Sequence, residues 1–205
     1  MIINDNLNDF ILNIKNGNVA CFKTDTIWGL SALANDGKAI KKLYTFKQRN
    51  VNKPFIFLIK KDEDLSRFVE YISPTQQKLI NAFWPGPLTI IFKAKKDVDF
   101  LKFYKENATI ALRMPNNELC QQILSQLNYP LPSTSVNIEG QYELNNFEEI
   151  SSTFAEYNFC IYIDNSFDYP ENRQSSTIVM CRGENVEILR EGSITKEQIF
   201  EVLNK

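Results

Sequence analysis

Eight lysines and arginines, and no aspartate or glutamate, fall between Lys38 and Lys61 of a chain whose formal net charge is −2. A solvated helix face ordinarily mixes the two signs. Lys47, Arg49 and Lys53 stand where an amphipathic helix ends, just before the apolar run Phe55–Ile59. Cations at such a junction can face a polyanionic ligand. Lys38, Lys41, Lys42, Lys60 and Lys61 read as solvated or long-range steering charges.

Three further features could do chemistry. Thr24-Asp25-Thr26 follows the short strand Val19–Phe22 and by itself reads as a turn capped by its own side chains. Pro130–Asn137 brings Ser133, Thr134, Ser135 and Asn137 together. That is loop composition, and also a set of small donors that lets a ligand approach the backbone. Arg113 ends an alternating strand, 109–114, with Thr109, Ala111 and Arg113 on one face. An arginine there needs an anion, either a structural carboxylate or a ligand.

Composition narrows the mechanism. None of the 205 residues is histidine, which excludes Ser-His-Asp and Cys-His catalysis and a histidine zinc site. Cys21, Cys120, Cys160 and Cys181 are far apart, with no CxxC, and read as buried thiols in a reducing compartment. The polar N-terminus MIINDNLNDF is unlike a signal peptide and no apolar run is long enough to span a membrane. A cytoplasmic location is therefore expected. A hydrophobic content of 43% with 23% charged suits one domain over residues 1–205. More than half of the acidic residues lie between Glu139 and Glu201, whereas basic character concentrates before residue 114. That imbalance fits an anionic ligand held by the first two thirds of the chain better than nucleic-acid coating.

These residues need elements to hold them. Helical spacing predicts helices over 6–16, 37–46, 65–72, from the Ser73 cap to Phe83, from Asn117 to Leu127, more weakly over 146–156, and from the Thr195 capping box to Leu203. Strands are expected at 19–22, 55–59, 88–92, 109–114 and 159–163, with a hairpin of 176–180 and 185–190. The segment 95–108 reads as loop, and Trp84-Pro85-Gly86-Pro87 as a rigid turn. The alternation gives an α/β fold in one domain, a twisted mixed open sheet flanked by helices.

The successive motifs Thr24-Asp25-Thr26-x-x-Gly29-Leu30, Lys47-x-Arg49-x-x-x-Lys53-Pro54, Trp84-Pro85-Gly86-Pro87-x-Thr89, Ala111-x-Arg113, Ser133-Thr134-Ser135-x-Asn137, Ser176-Thr177 and Arg190 resemble those of the YrdC/TsaC family. The match covers almost the whole chain. The resemblance implies formation of threonylcarbamoyl-AMP and pyrophosphate from L-threonine, bicarbonate or CO₂, and ATP. Mg²⁺ would ride on the phosphates, and the product would pass to a threonylcarbamoyl transferase acting on adenosine 37 of tRNA, with at most a weak tRNA contact. It implies that Lys47, Arg49, Lys53, Thr109, Ser135, Asn137 and Arg190 bind ATP, and that Thr26, Arg113, Ser133 and Ser176 bind threonine. No general base and no metal ligand is assigned. This sequence departs from the family pattern at Lys23 (usually proline), Leu58 (often histidine), Asn165-Ser166 (a glycine pair), and Val136 and Glu139 (smaller residues). Two alternatives stand beside this reading. One is the related carbamoyl-adenylate domain of hydrogenase maturation proteins. The other is an RNA-binding module that uses the basic stretch as a phosphate track, with Tyr44, Phe46 and Phe55 stacking on bases unless they pack in the core.

Overall fold

The computed structural model describes residues 1–104, 108–163 and 174–204. Its strands are β1 (Ile2–Asn4), β2 (Val19–Lys23), β3 (Trp28–Ser31), β4 (Ile56–Leu58), β5 (Leu88–Lys93), β6 (Thr109–Arg113), β7 (Leu131–Ser135), β8 (Phe159–Tyr162), β9 (Thr177–Arg182) and β10 (Asn185–Arg190). The helices are α1 (Leu7–Lys15), α2 (Gly37–Lys47), α3 (Pro74–Phe83), α4 (Glu118–Ser125), α5 (Phe147–Thr153) and α6 (Lys196–Leu203). The ten described strands share one mixed sheet, ordered β1-β8-β2-β3-β7-β4-β6-β5-β9-β10. Four pairs are parallel, β1/β8, β2/β8, β4/β6 and β5/β9.

Local chemistry starts most helices. Asn6 caps α1 and Asp36 caps α2, each side chain accepting two backbone N–H groups. Ser73 with Gln76, and Thr195 with Gln198, form the two expected capping boxes. Strand β2 is buried on both faces, which explains its unbroken apolar run. Ala20 and Phe22 pack with Phe10, Ile11 and Ile14 of α1 and with Leu119, Ile123 and Leu124 of α4. Val19 and Cys21 face the other way, into the core shared with α2, α3 and α6.

The last turn of α2 is pinned by aromatics. Phe46 lies 4.3 Å from Phe154, 4.8 Å from Tyr157 and 5.1 Å from Phe159, centroid to centroid. This packing fixes where Lys47 and Arg49 emerge. Tyr44, Phe46 and Phe55 are all buried, so they offer no stacking platform for bases.

Four sequence expectations are corrected. No helix runs over 65–72; a single 3-10 turn, Leu65–Arg67, is followed by chain that pairs with the exit of β5. Val69 bridges Ala94, and the N–H of Glu70 donates to the Lys93 carbonyl at 3.0 Å. Burial of Phe68 and Val69 against the sheet side outweighs their helical spacing. The segment 131–135 is not a loop but β7, in the middle of the sheet, with antiparallel partners β3 and β4 on its two sides. Backbone partners on both edges outweigh its poor strand composition. The segment 95–108 contains a 3-10 turn, Asp99–Phe103, that buries Phe100 and Leu101. The N-terminal Ile2–Asn4, read only as polar chain, is an edge strand pairing with β8. The Trp84–Pro85 peptide is cis. Among the described residues no helix is long and apolar enough to cross a membrane.

Candidate active site

In the sheet, β3 and β9 are separated by four strands, about 24 Å if the sheet were flat. Yet Trp28 of β3 and Ile178 of β9 line the same cavity, so the sheet curves strongly around it. The cavity measures about 160 Å³. It is lined by Thr24, Thr26, Ser133, Thr134, Ser135, Ser175 and Ser176, and by Arg49, Arg113 and Arg190. Drug-sized ligands occupy roughly 300–1,000 Å³. The enclosed part thus suits a molecule of amino-acid size, and anything larger must extend to the open side.

Arg113 is 3% exposed. Its Nη1 donates to Thr26 Oγ1 at 2.8 Å and its Nε to the Gly86 carbonyl at 3.3 Å. Its Nη2 is paired with Asp25 Oδ1, and Asp25 Oδ2 accepts the N–H of Asn116 at 3.0 Å. The anion required by the strand arginine is therefore a structural carboxylate, while the guanidinium still borders the cavity. Asp25 was not among the expected site residues, although an acid set between two threonines directly after a strand was the available signal. Thr24 and Thr26 share a hydroxyl contact of 3.0 Å, and Thr24 also donates to the Ile27 carbonyl at 2.8 Å. This local network holds Thr26 toward Arg113.

The opposite wall is built by the β9–β10 hairpin. Arg190 donates to the Ser176 carbonyl from Nε and Nη2 at 3.1 and 2.8 Å, and Ser176 Oγ lies 2.8 Å from Thr89 Oγ1. Gly192 lets the chain come close behind this wall, since a Cβ there would lie 2.0 Å from the Ser175 carbonyl oxygen. Backbone cannot yield cheaply to such a contact. Gly192→Ala is therefore expected to lower stability by about 1–3 kcal/mol and to weaken ligand binding by displacing Ser175 and Ser176. Thermal unfolding with parallel ligand titration measures both, and an unchanged midpoint with unchanged affinity would remove Gly192 from the support of the site.

The basic set divides. Lys47 is buried, and its Nζ donates to the Ser135 carbonyl at 2.9 Å and to Asn137 Oδ1. It ties the exit of α2 to the chain leaving β7, behind the cavity wall formed by Ser135. Burial, and then the nearby Arg49, pull its pKa down to about 8. Arg49 borders the cavity, stacks over Phe55 at 5.2 Å and donates to the Pro54 carbonyl at 2.9 Å. Lys53 lies outside the cavity lining, its side chain 60% exposed and 2.7 Å from Glu139. Asn137 stands behind Ser135, donating to the Gln141 carbonyl at 2.6 Å.

Of the expected residues, Thr26, Arg49, Arg113, Ser133, Ser135, Ser176 and Arg190 meet at one cavity. Lys47 and Asn137 bond to Ser135 of its wall, and Lys53 is not among its lining residues. Thr109 is not brought there. It is exposed at the far end of β6, opposite Lys93, about 13 Å along the strand from Arg113. Leu58 is fully buried with Leu131 in the core under α1 and α4, so it does not border the cavity. Lys23 extends over the Trp28 ring at 5.3 Å. Val136 is fully buried in the core, and Asn165-Ser166 lie outside the described residues.

The chain is 30% identical over 190 residues to a Methanocaldococcus jannaschii protein provisionally named a threonylcarbamoyl-AMP synthase, covering 91% of this chain and 85% of that one. It is 29% identical over 194 residues to the threonylcarbamoyl-AMP synthase of Bacillus subtilis, covering 93% of this chain but 54% of the relative. The P. abyssi Sua5 structure, complexed with L-threonine, superposes with a TM-score of 0.83 at 25% identity, over 98% of this chain and 59% of that one. The chain thus spans little more than half the length of two of these relatives. A family model for Sua5/YciO/YrdC proteins, described as telomere recombination, matches residues 13–192, and the chain belongs to that family.

Proposed function

We propose that the chain makes threonylcarbamoyl-AMP and pyrophosphate from L-threonine, bicarbonate or CO₂, and ATP, for threonylcarbamoylation of adenosine 37 in tRNA. The observation that carries this reading is the convergence of Arg49, Arg113 and Arg190 with a ring of hydroxyls around one cavity of amino-acid size. Two anions of different kinds can be held there at once. The threonine carboxylate lies against Arg113, oriented by Asp25. The substrate hydroxyl and amine face Thr26, Ser133 and Ser176. The nucleotide phosphates extend from Arg190 and Arg49 toward Lys53, with Lys47 adding charge through the Ser135 wall.

The neutral threonine amine attacks the carbon of CO₂ and gives up a proton to water, becoming a carbamate; with bicarbonate the departing hydroxide takes that proton and leaves as water. A carbamate oxygen then attacks the α-phosphorus of ATP. The bond from that phosphorus to the bridging oxygen breaks, and pyrophosphate leaves with the electron pair. Positioning and cationic stabilisation carry such a displacement, and no histidine is needed. Mg²⁺ would ride on the triphosphate, and no step here depends on a protein-held ion. The product passes to a threonylcarbamoyl transferase, in the cytoplasm where ATP and tRNA are found.

The test is pyrophosphate release from ATP and bicarbonate with each amino acid in turn. Threonine should support release at least about a hundredfold better than valine, because hydroxyl-binding groups left unpaired reject the apolar analogue. Release that is independent of threonine overturns the proposal. Nanomolar, salt-steep RNA binding without turnover would favour the RNA-binding alternative instead.

A further inference from the structure

We infer that Glu139 is a resident counter-anion of the phosphate-binding corner, displaced by polyphosphate when nucleotide binds. The inference rests on the nucleotide reading above. Glu139 Oε1 lies 2.7 Å from Lys53 Nζ and 3.9 Å from Arg49 Nη1. Its Oε2 accepts the backbone N–H of Asn50 at 3.0 Å. Two cations and one backbone N–H, all from the turn after α2, form a donor set that suits phosphate oxygens. Here it is filled by a carboxylate from 89 residues further along the chain.

The attachment is built to be released. The backbone of Glu139 is held independently, its N–H donating to the Lys47 carbonyl at 2.9 Å. Its side chain can therefore leave Lys53 without undocking the segment. Gly140 follows at φ +84, with open space where a Cβ would stand, a backbone state that a residue with a side chain would resist. The side chains of Glu139 and Lys53 are 23% and 60% exposed, so water can replace either partner. The hydrogen bond from Lys53, and then the Asn50 N–H, hold the Glu139 carboxyl below the usual carboxylate range. It remains an anion at neutral pH and must be driven out by a stronger one. When pyrophosphate departs, the carboxylate can return to Lys53.

Calorimetric titration of the full chain with ATP, inorganic pyrophosphate and L-threonine tests this. Glu139→Gln keeps the size and the acceptor for Asn50 but removes the charge. It should bind ATP and pyrophosphate each about three-fold tighter, the scale set by a half-exposed ion pair, with threonine affinity unchanged. Glu148→Gln, which removes an exposed charge on α5, should change neither. The double variant Glu139→Gln/Lys53→Gln should show no gain. Unchanged or weaker polyphosphate binding by a folded Glu139→Gln overturns the inference, as does an equal gain in Glu148→Gln. If Glu139→Gln tightens polyphosphate but pyrophosphate release ignores threonine, the counter-anion stands and the proposed reaction falls. If release depends on threonine but Glu139→Gln has no effect, the reaction stands and the counter-anion falls.

Discussion

Arg113→Ala is expected to abolish measurable threonine binding, leave ATP binding within a few-fold of the parent, and lower the unfolding free energy by about 3 kcal/mol. The two effects have separate origins. The guanidinium borders the cavity, so its loss removes the proposed carboxylate partner. It is also the partner of Asp25, whose side chain is 11% exposed. Deleting it takes the paired cation away from a nearly buried carboxylate, which keeps the Asn116 N–H at 3.0 Å. Urea titration reads the stability loss and calorimetry reads the two ligands. Arg113→Lys separates the effects: it restores a charge near Asp25 but cannot donate to Asp25, Thr26 and Gly86 together. It should recover most of the stability and still bind threonine at least about tenfold more weakly. A loss confined to ATP would show that the carboxylate and phosphate ends of the site are exchanged.

Raising the pH from 7 to 9 should weaken ATP binding about tenfold, the limit if only the cationic form of Lys47 is competent. Burial, and then Arg49, bring this ammonium from 10.5 down to about 8. Few other groups compete in that window. The chain has no histidine, and burial pushes Cys181 up to about 11 and Cys160 to about 12. Lys47→Arg, which stays charged throughout, should flatten the profile. The empty protein should respond with the opposite sign. Between pH 8 and 10.5 the unfolded chain holds the Lys47 proton that the folded chain has lost, so this residue makes folding more favourable as pH rises. ATP affinity that falls with pH in Lys47→Arg as steeply as in the parent would take Lys47 out of the phosphate field.

Local features were the most legible in the sequence. Ser73 with Gln76 and Thr195 with Gln198 declare their helices because both partners lie within four residues of chain. The K-x-R spacing after α2 was legible for a similar reason, since Phe46 fixes the exit of the helix and leaves Lys47 and Arg49 only short paths. Legibility fails where long-range partners decide. Residues 131–135 have the composition of a loop and become a strand because β3 and β4 supply backbone partners from far away in sequence. Arg113 needed an anion, but pairing with Asp25 across 88 residues is invisible until the fold exists. Thr109 was correctly read onto the face of Arg113. Face alone, however, does not say at which end of a strand a residue sits.

The place of β7 bears on how the chain is made. Until residues 131–135 leave the ribosome, the sheet order allows only two separate fragments, β2-β3 and β4-β6-β5. Each exposes an unpaired strand edge, on β3 and on β4, and such edges recruit other chains. The strand that carries the hydroxyl cluster unites these fragments and covers both of those inner edges at once, while the outer edges on β2 and β5 wait for β8 and β9 and the pocket waits for its Ser175, Ser176 and Arg190 wall. A nascent chain paused before Leu131 would be both inactive and prone to aggregate.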